Sequence, residues 1–134
     1  MAIDSIKKFV LRWGPAILVM GLIFFFSSIP IKITLPSVGP FRLTPKLVLS
    51  KSAHVLGYAL LALTIQRGLQ LRGWKGKVVT MICVLLYALS DEFHQSFVPG
   101  RGGSIIDVGI DLLGGTMGVW IGRKLNGVMA RLSV

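Results

Sequence analysis

Acidic residues are scarce in this chain: five, against fifteen lysines and arginines. Four of the five, Asp91, Glu92, Asp107 and Asp111, fall in one stretch, LSDEFHQSFVPGRGGSIIDVGIDLLGG (Leu89 to Gly115), together with one of the two histidines. There is one cysteine, Cys83, which excludes an internal disulfide. Set in the middle of an apolar run, it reads as a small buried hydrophobe. The sequence has no H-E-x-x-H or similar metal signature, and no metal ligand is assigned. Internal repeats and low-complexity tracts are also missing. Charged residues make up only 15% of the chain and hydrophobic ones 53%, which is too apolar for an ordinary small soluble domain.

Long apolar runs fill the space left by charge. Four windows, at residues 13–29, 52–71, 78–97 and 104–122, each approach the ~20 residues that a helix needs to cross a bilayer. They are apolar nearly all round, whereas the helices of a soluble bundle would alternate polar and apolar faces. The expected fold is all-α: an integral membrane four-helix bundle with short loops, one domain over residues 1–134. Lys7, Lys8 and Arg12 ahead of the first run imitate a secretory signal, yet no A-x-A-like cleavage site follows FFFSSIP. A retained anchor is expected, with Pro15 in the first turn of its helix.

The net charge of +10 is explained by topology rather than by nucleic acid as a partner. With the N-terminus inside, ten basic residues lie on the inner side, against five (Lys32, Arg42, Lys46, Lys51 and Arg101) on the outer. This asymmetry places both termini in the cytoplasm and the Leu89–Gly115 motif at the extracytoplasmic side. Four prolines between Pro30 and Ser50 exclude a continuous helix there, and the segment is apolar and basic, as expected of a lid or interfacial loop. RGWKGK (Arg72 to Lys77) reads as a cytoplasmic turn with Trp74 at headgroup depth. VPGRGG (Val98 to Gly103) is a tight turn that makes spans three and four neighbours.

Helical spacing gathers the polar residues. On span four, Ser104, Asp107, Asp111, Gly114, Gly118 and Gly122 fall within about 80° at 100° per residue. Small residues at every fourth position let another backbone approach closely. On span three, Tyr87, Asp91, His94, Gln95 and Val98 share a face, with Glu92 about 100° away. On span two, Lys51, His54 and Tyr58 line up. Counting ~1.5 Å per residue from the helix ends puts His54, His94 and Asp107 in one layer, with Asp91 and Asp111 beneath it. Inward-facing ionisable groups are costly in a membrane, so such a layer is a candidate functional pocket.

Histidine beside aspartate is the arrangement that orients a general base. Here His94 would be the base, Asp107 its orienter, and Asp91 a third candidate catalytic group. Lys51 and Arg101, with Arg42 and Lys46, would attract a headgroup phosphate. Ser96, Ser104 and water are the possible nucleophiles. His94 with Asp107, and Arg101 with Glu92, are the expected pairs. No cofactor is indicated.

The same residues carry a resemblance. DEFHQSFVPGRGGSIIDVGIDLLGGTMG closely resembles the signature of the VanZ-like family of small bacterial membrane proteins. KSAHVLGYALLAL resembles that family's Lys-x-x-His segment, and FFFSSIP its exit from the first helix. The resemblance carries over Lys51, His54, Tyr58, Asp91, Glu92, His94, Gln95, Pro99, Gly100, Arg101, Ser104, Asp107 and Gly114. Ser50 stands where the family pattern has aspartate, and Asp111 where asparagine is frequent. The resemblance implies a protein of the bacterial inner membrane linked to glycopeptide resistance of the teicoplanin type. From the polar pocket itself, the expected ligands are membrane lipids, a lipid-linked envelope precursor or an amphiphilic glycopeptide. The rival expectations are a headgroup enzyme and an ion or proton pathway formed by an oligomer.

Overall fold

The computed structural model describes residues 2–30, 45–71 and 73–132. They form four helices: α1 (Ala2–Ser27), α2 (Pro45–Leu69), α3 (Gly73–Gln95) and α4 (Ile105–Leu132). Each expected span overlaps one helix: α1, α2 and α3 begin before their windows and stop two residues short of the windows' ends, while α4 begins one residue late and runs on to Leu132. Backbone hydrogen bonding continues into the charged flanks of the apolar runs. Pro45 opens α2 at a position where a missing N–H costs nothing. The proposed lid at residues 31–44 lies outside the described residues. Pro15 is a correction: α1 begins at Ala2, so this proline is interior and leaves the Leu11 carbonyl without its helical donor.

Consecutive helices are antiparallel, so α2 runs parallel to α4. These two make the closest packing in the molecule, through the glycine stripe. A Cβ on Gly114 would collide with the Val55 carbonyl, and one on Gly118 with the Ala59 carbonyl. α3 packs on both α2 and α4, whereas α1 lies against α2 and α3 and does not touch α4 among the described residues. The core joins Ala16 and Val19 of α1, Tyr58, Leu61 and Ile65 of α2, Val84 and Ala88 of α3, and Val108 and Val119 of α4.

The molecule is apolar outside and polar at one end of its interior. Phe25, Leu56, Leu86, Leu113 and Trp120 are all exposed, while Asp91, Glu92, Gln95 and Asp111 are buried. In water this distribution would be unstable, and in lipid it is the expected one. Among the described residues, α1 and α4 are long and apolar enough to cross a membrane. Cys83 is half-buried beside the core, in keeping with its reading as a small hydrophobe.

Candidate functional site

Close α2–α4 contact builds the first part of the polar cluster. Because the two helices are parallel and in register, the residues one turn before the glycine contacts also meet. Lys51 Nζ pairs with Asp107 Oδ1. One turn deeper, His54 Nδ1 lies 3.0 Å from Asp111 Oδ1. Asp111 is fully buried, and the His54 side chain is 15% exposed. With an aspartate on Nδ1, the other face of the His54 ring is left for a further partner.

Asp91 sits between α1, α2 and α3. Ser27 Oγ donates to its Oδ1 at 2.6 Å, and Gln95 Nε2 to its Oδ2 at 3.0 Å. The Tyr58 hydroxyl lies 3.4 Å from Oδ2. All three are neutral donors around a carboxylate that is 2% exposed. Tyr87 turns away from it and donates to the Met20 carbonyl of α1 at 2.6 Å.

Glu92 ties α3 to the start of α4. Its Oε2 accepts the Ser104 N–H at 2.8 Å, an orphan donor at a helix N-terminus, and its Oε1 accepts from Gln95 Nε2 at 3.2 Å. Ser104 thus acts through its backbone rather than its hydroxyl. Arg101 does not pair with Glu92. Its guanidinium donates to the carbonyls of Phe26 (2.9 Å) and Ile29 (3.0 Å) and to Gln95 Oε1 (3.2 Å). The carbonyls at the end of α1 lack α-helical donors, and a planar guanidinium from the neighbouring turn reaches two of them. Arg12 does the same at the other end of the bundle, donating from Nε to the Gly68 carbonyl near the end of α2.

His94 is placed apart from Asp107. Its ring stacks on Phe24 at a centroid distance of 4.2 Å, and Nε2 meets Ser28 Oγ at 3.0 Å. The expected His94–Asp107 dyad is therefore not assembled, because His94 faces α1 while Asp107 faces α2. The imidazole that an aspartate orients is His54. Ser96 is exposed and donates to its own helix at Phe93 O (2.6 Å), away from either histidine's partners. Of the sequence-derived anion clamp, Lys51 is engaged by Asp107 and Arg101 by α1, while Arg42 and the Lys46 side chain lie outside the described residues.

A cleft of about 290 Å³ opens between α1 and α2 onto this cluster. Its walls are apolar, from Val19, Leu22, Ile23 and Phe26 on one side to Ala53 and Leu60 on the other. Its polar end is formed by Ser27, His54, Tyr58 and Asp91.

A sequence model of the VanZ/LLP1 family matches residues 13–126, most of the chain and every residue of the cluster. The chain belongs to the VanZ/LLP1 family. No curated protein and no solved structure matches it. Together with the apolar helices, membership makes this VanZ/LLP1 chain a membrane protein.

Two features of the VanZ/LLP1 cluster were not assigned from sequence. Ser27 and Ser28 hold Asp91 and His94. The signal was present in FFFSSIP, where two hydroxyls end an apolar run that needs none. The second feature is a donor set from three helices: His54, Glu92 and Asp111 offer one ligand atom each, all within 4.8 Å of one another. Residues brought together from α2, α3 and α4 leave no local spacing by which a motif could be read.

Proposed function

We propose that the protein is a multi-pass inner-membrane protein of the bacterial cell envelope, with both termini cytoplasmic, that binds an amphiphile. Membrane lipid, a lipid-linked envelope precursor and an amphiphilic glycopeptide share the needed chemistry, an apolar tail attached to a polar head. The observation that carries this reading is the cleft between α1 and α2, apolar along its walls and ending at His54, Tyr58 and Asp91. Binding sites for small molecules have this make-up: mostly apolar lining with a few convergent polar groups. The tail would lie along Leu22, Ile23 and Leu60, and the head would meet the hydrogen-bonding groups at the outer end. Capture of such a molecule is also a route by which a family member could contribute to teicoplanin-type resistance.

The test is native mass spectrometry of the purified protein with an anionic phospholipid, a polyprenyl phosphate and teicoplanin as separate probes. Gly57 lines the cleft, and a Cβ there meets only Ile23 side-chain atoms at 3.5–3.7 Å. Gly57→Phe should therefore fill the space without a backbone clash and weaken binding at least tenfold. Binding of all three probes unchanged by Gly57→Phe and by His54→Ala would remove the cleft from the account.

A second reading has its own observation. The 3.0 Å contact of His54 with Asp111 beside the cleft is the geometry of an oriented general base. A headgroup-modifying enzyme would use His54 in that role, and product analysis after incubation with the same lipids, with and without His54→Ala, distinguishes it from binding alone.

A further inference from the structure

The interior charge of the cluster does not close. Asp91, Glu92 and Asp111 are 2%, 5% and 0% exposed. Among the described residues, Asp91 and Glu92 are met by hydroxyl, amide and backbone N–H donors, and the ionisable partner of Asp111 is His54. Lys51 is taken by Asp107. Several carboxylates in a low-dielectric interior, with so little positive charge among them, are expensive unless a proton or a cation neutralises them.

A second observation gives the deficit a location. Asp111 Oδ2 is fully buried and has no hydrogen-bond partner among the described residues. Buried polar atoms in folded proteins are very largely satisfied, so an orphaned carboxylate oxygen calls for a partner such as an ion or a water. The same aspartate belongs to the His54–Glu92–Asp111 set, whose ligand atoms lie within 4.8 Å of one another. The set also comes from three packed helices, so it is held in place without a ligand, as metal sites in helical bundles are.

We propose that His54, Glu92 and Asp111 form a binding site for a divalent transition-metal cation of the zinc class. One imidazole and two carboxylates are a nitrogen–oxygen donor set that suits zinc or manganese better than magnesium or calcium, which prefer oxygen alone. Bonds of about 2.0–2.2 Å to zinc place neighbouring ligand atoms roughly 3.3 Å apart, so in the proposed site the ligand atoms draw in from within 4.8 Å by side-chain rotation. The ion takes Asp111 Oδ2 as a ligand and offsets the charge of Glu92. Three protein ligands leave a fourth position open, on which water or a ligand's oxygen can sit. This site stands whether or not an amphiphile enters the neighbouring cleft.

The test uses the full chain in detergent micelles, free of any polyhistidine tag, stripped with EDTA and titrated with Zn²⁺ alone. Calorimetry and elemental analysis should give one ion per chain, with Mg²⁺ taken up at least 100-fold more weakly. Glu92→Gln and Asp111→Asn should each weaken zinc affinity at least 100-fold, while His94→Ala, which changes the other histidine, should leave it within threefold. Because either carboxylate variant could fail to fold, Co²⁺ bound to the wild-type protein supplies an independent reading. Its visible spectrum should show a low-symmetry nitrogen–oxygen site, and it should be bleached by one equivalent of Zn²⁺. Less than half an equivalent of Zn²⁺ on the wild-type protein, or uptake unchanged in well-folded Glu92→Gln and Asp111→Asn, overturns the site. Repeating the amphiphile titration in EDTA keeps the two proposals separable: binding there reads the cleft alone, and a failed zinc titration on protein that still takes up lipid overturns the cation site alone.

Discussion

Gly118 of α4 lies so close to the Ala59 carbonyl of α2 that a side chain has no room between them. Four residues earlier, Gly114 meets the Val55 carbonyl in the same way. This backbone contact sets the α2–α4 register and so decides that Lys51 reaches Asp107 and His54 reaches Asp111. Gly118→Leu should therefore separate the helices, at a cost of at least about 1–3 kcal/mol from overpacking. Gly109, on the same helix, has nothing within 4 Å of a built Cβ, and Gly109→Leu should be neutral. Thermal unfolding in detergent compares the two, and equal midpoints would mean that α2 and α4 do not pack through glycine.

His54 and Asp111 should behave as a coupled pair, and His94 and Asp107 as independent residues. A double-mutant cycle on unfolding free energy should give an interaction of about 1–3 kcal/mol for the first pair, and additivity within about 0.5 kcal/mol for the second. Coupling between His94 and Asp107 comparable to that of the first pair would restore the dyad expected from sequence.

Ser27→Ala removes a hydroxyl donor from a buried carboxylate. Hydrogen bonds to charged groups contribute about 1.5–3 kcal/mol, so a loss of that order is expected from the 2.6 Å contact with Asp91. Ser90→Ala is the control, since Ser90 is exposed and donates only to its own helix at Tyr87 O. If both substitutions cost the same, Ser27 is not what holds α1 to Asp91.

The ten-to-five distribution of basic residues predicts an orientation with both termini in the cytoplasm. In a Cys83→Ala background, Gly102→Cys should react with an impermeant thiol reagent in intact spheroplasts. Lys75→Cys should react only after lysis. The opposite pattern would turn the polar cluster toward the cytoplasm.

Four helices and the glycine stripe could be read from sequence because each depends on local composition at a helical period. Helix ends could not, since hydropathy reports the lipid-facing length while hydrogen bonding carries α1 back to Ala2 and opens α2 at Pro45. Depth along a helix was only coarsely informative: a rise of ~1.5 Å per residue gathers the polar residues toward one end, but it set His54 level with Asp107 and above Asp111, whereas His54 meets Asp111 and Asp107 meets Lys51. Partnership was not, because rotation about the helix axis depends on which neighbours pack on each side. His94 turned to α1 and Phe24, and Glu92, assigned to a separate face, turned to the free N–H groups at the start of α4. No residue near α1 in sequence announces that Arg101 will complete it.

Arg101→Ala should remove three hydrogen bonds to the end of α1 and its neighbour and lower stability by about 1–3 kcal/mol. Arg101→Lys should recover little of this, because an ammonium is not a planar fork. Full recovery with lysine, judged by the detergent unfolding midpoint, would show that charge alone suffices.

The carbonyls of Phe26 and Ile29 lie 75 and 72 residues upstream of the arginine that satisfies them. A ribosome adding about 5–20 residues per second delivers Arg101 roughly 4–15 s after those carbonyls are made. For that interval the end of α1 lacks the guanidinium that meets the Phe26 and Ile29 carbonyls. The contacts of α1 with α2 can form earlier, but the closing of this end waits on translation. A nascent chain stalled before residue 101 should therefore leave the end of α1 open to crosslinking by whatever insertion machinery attends it.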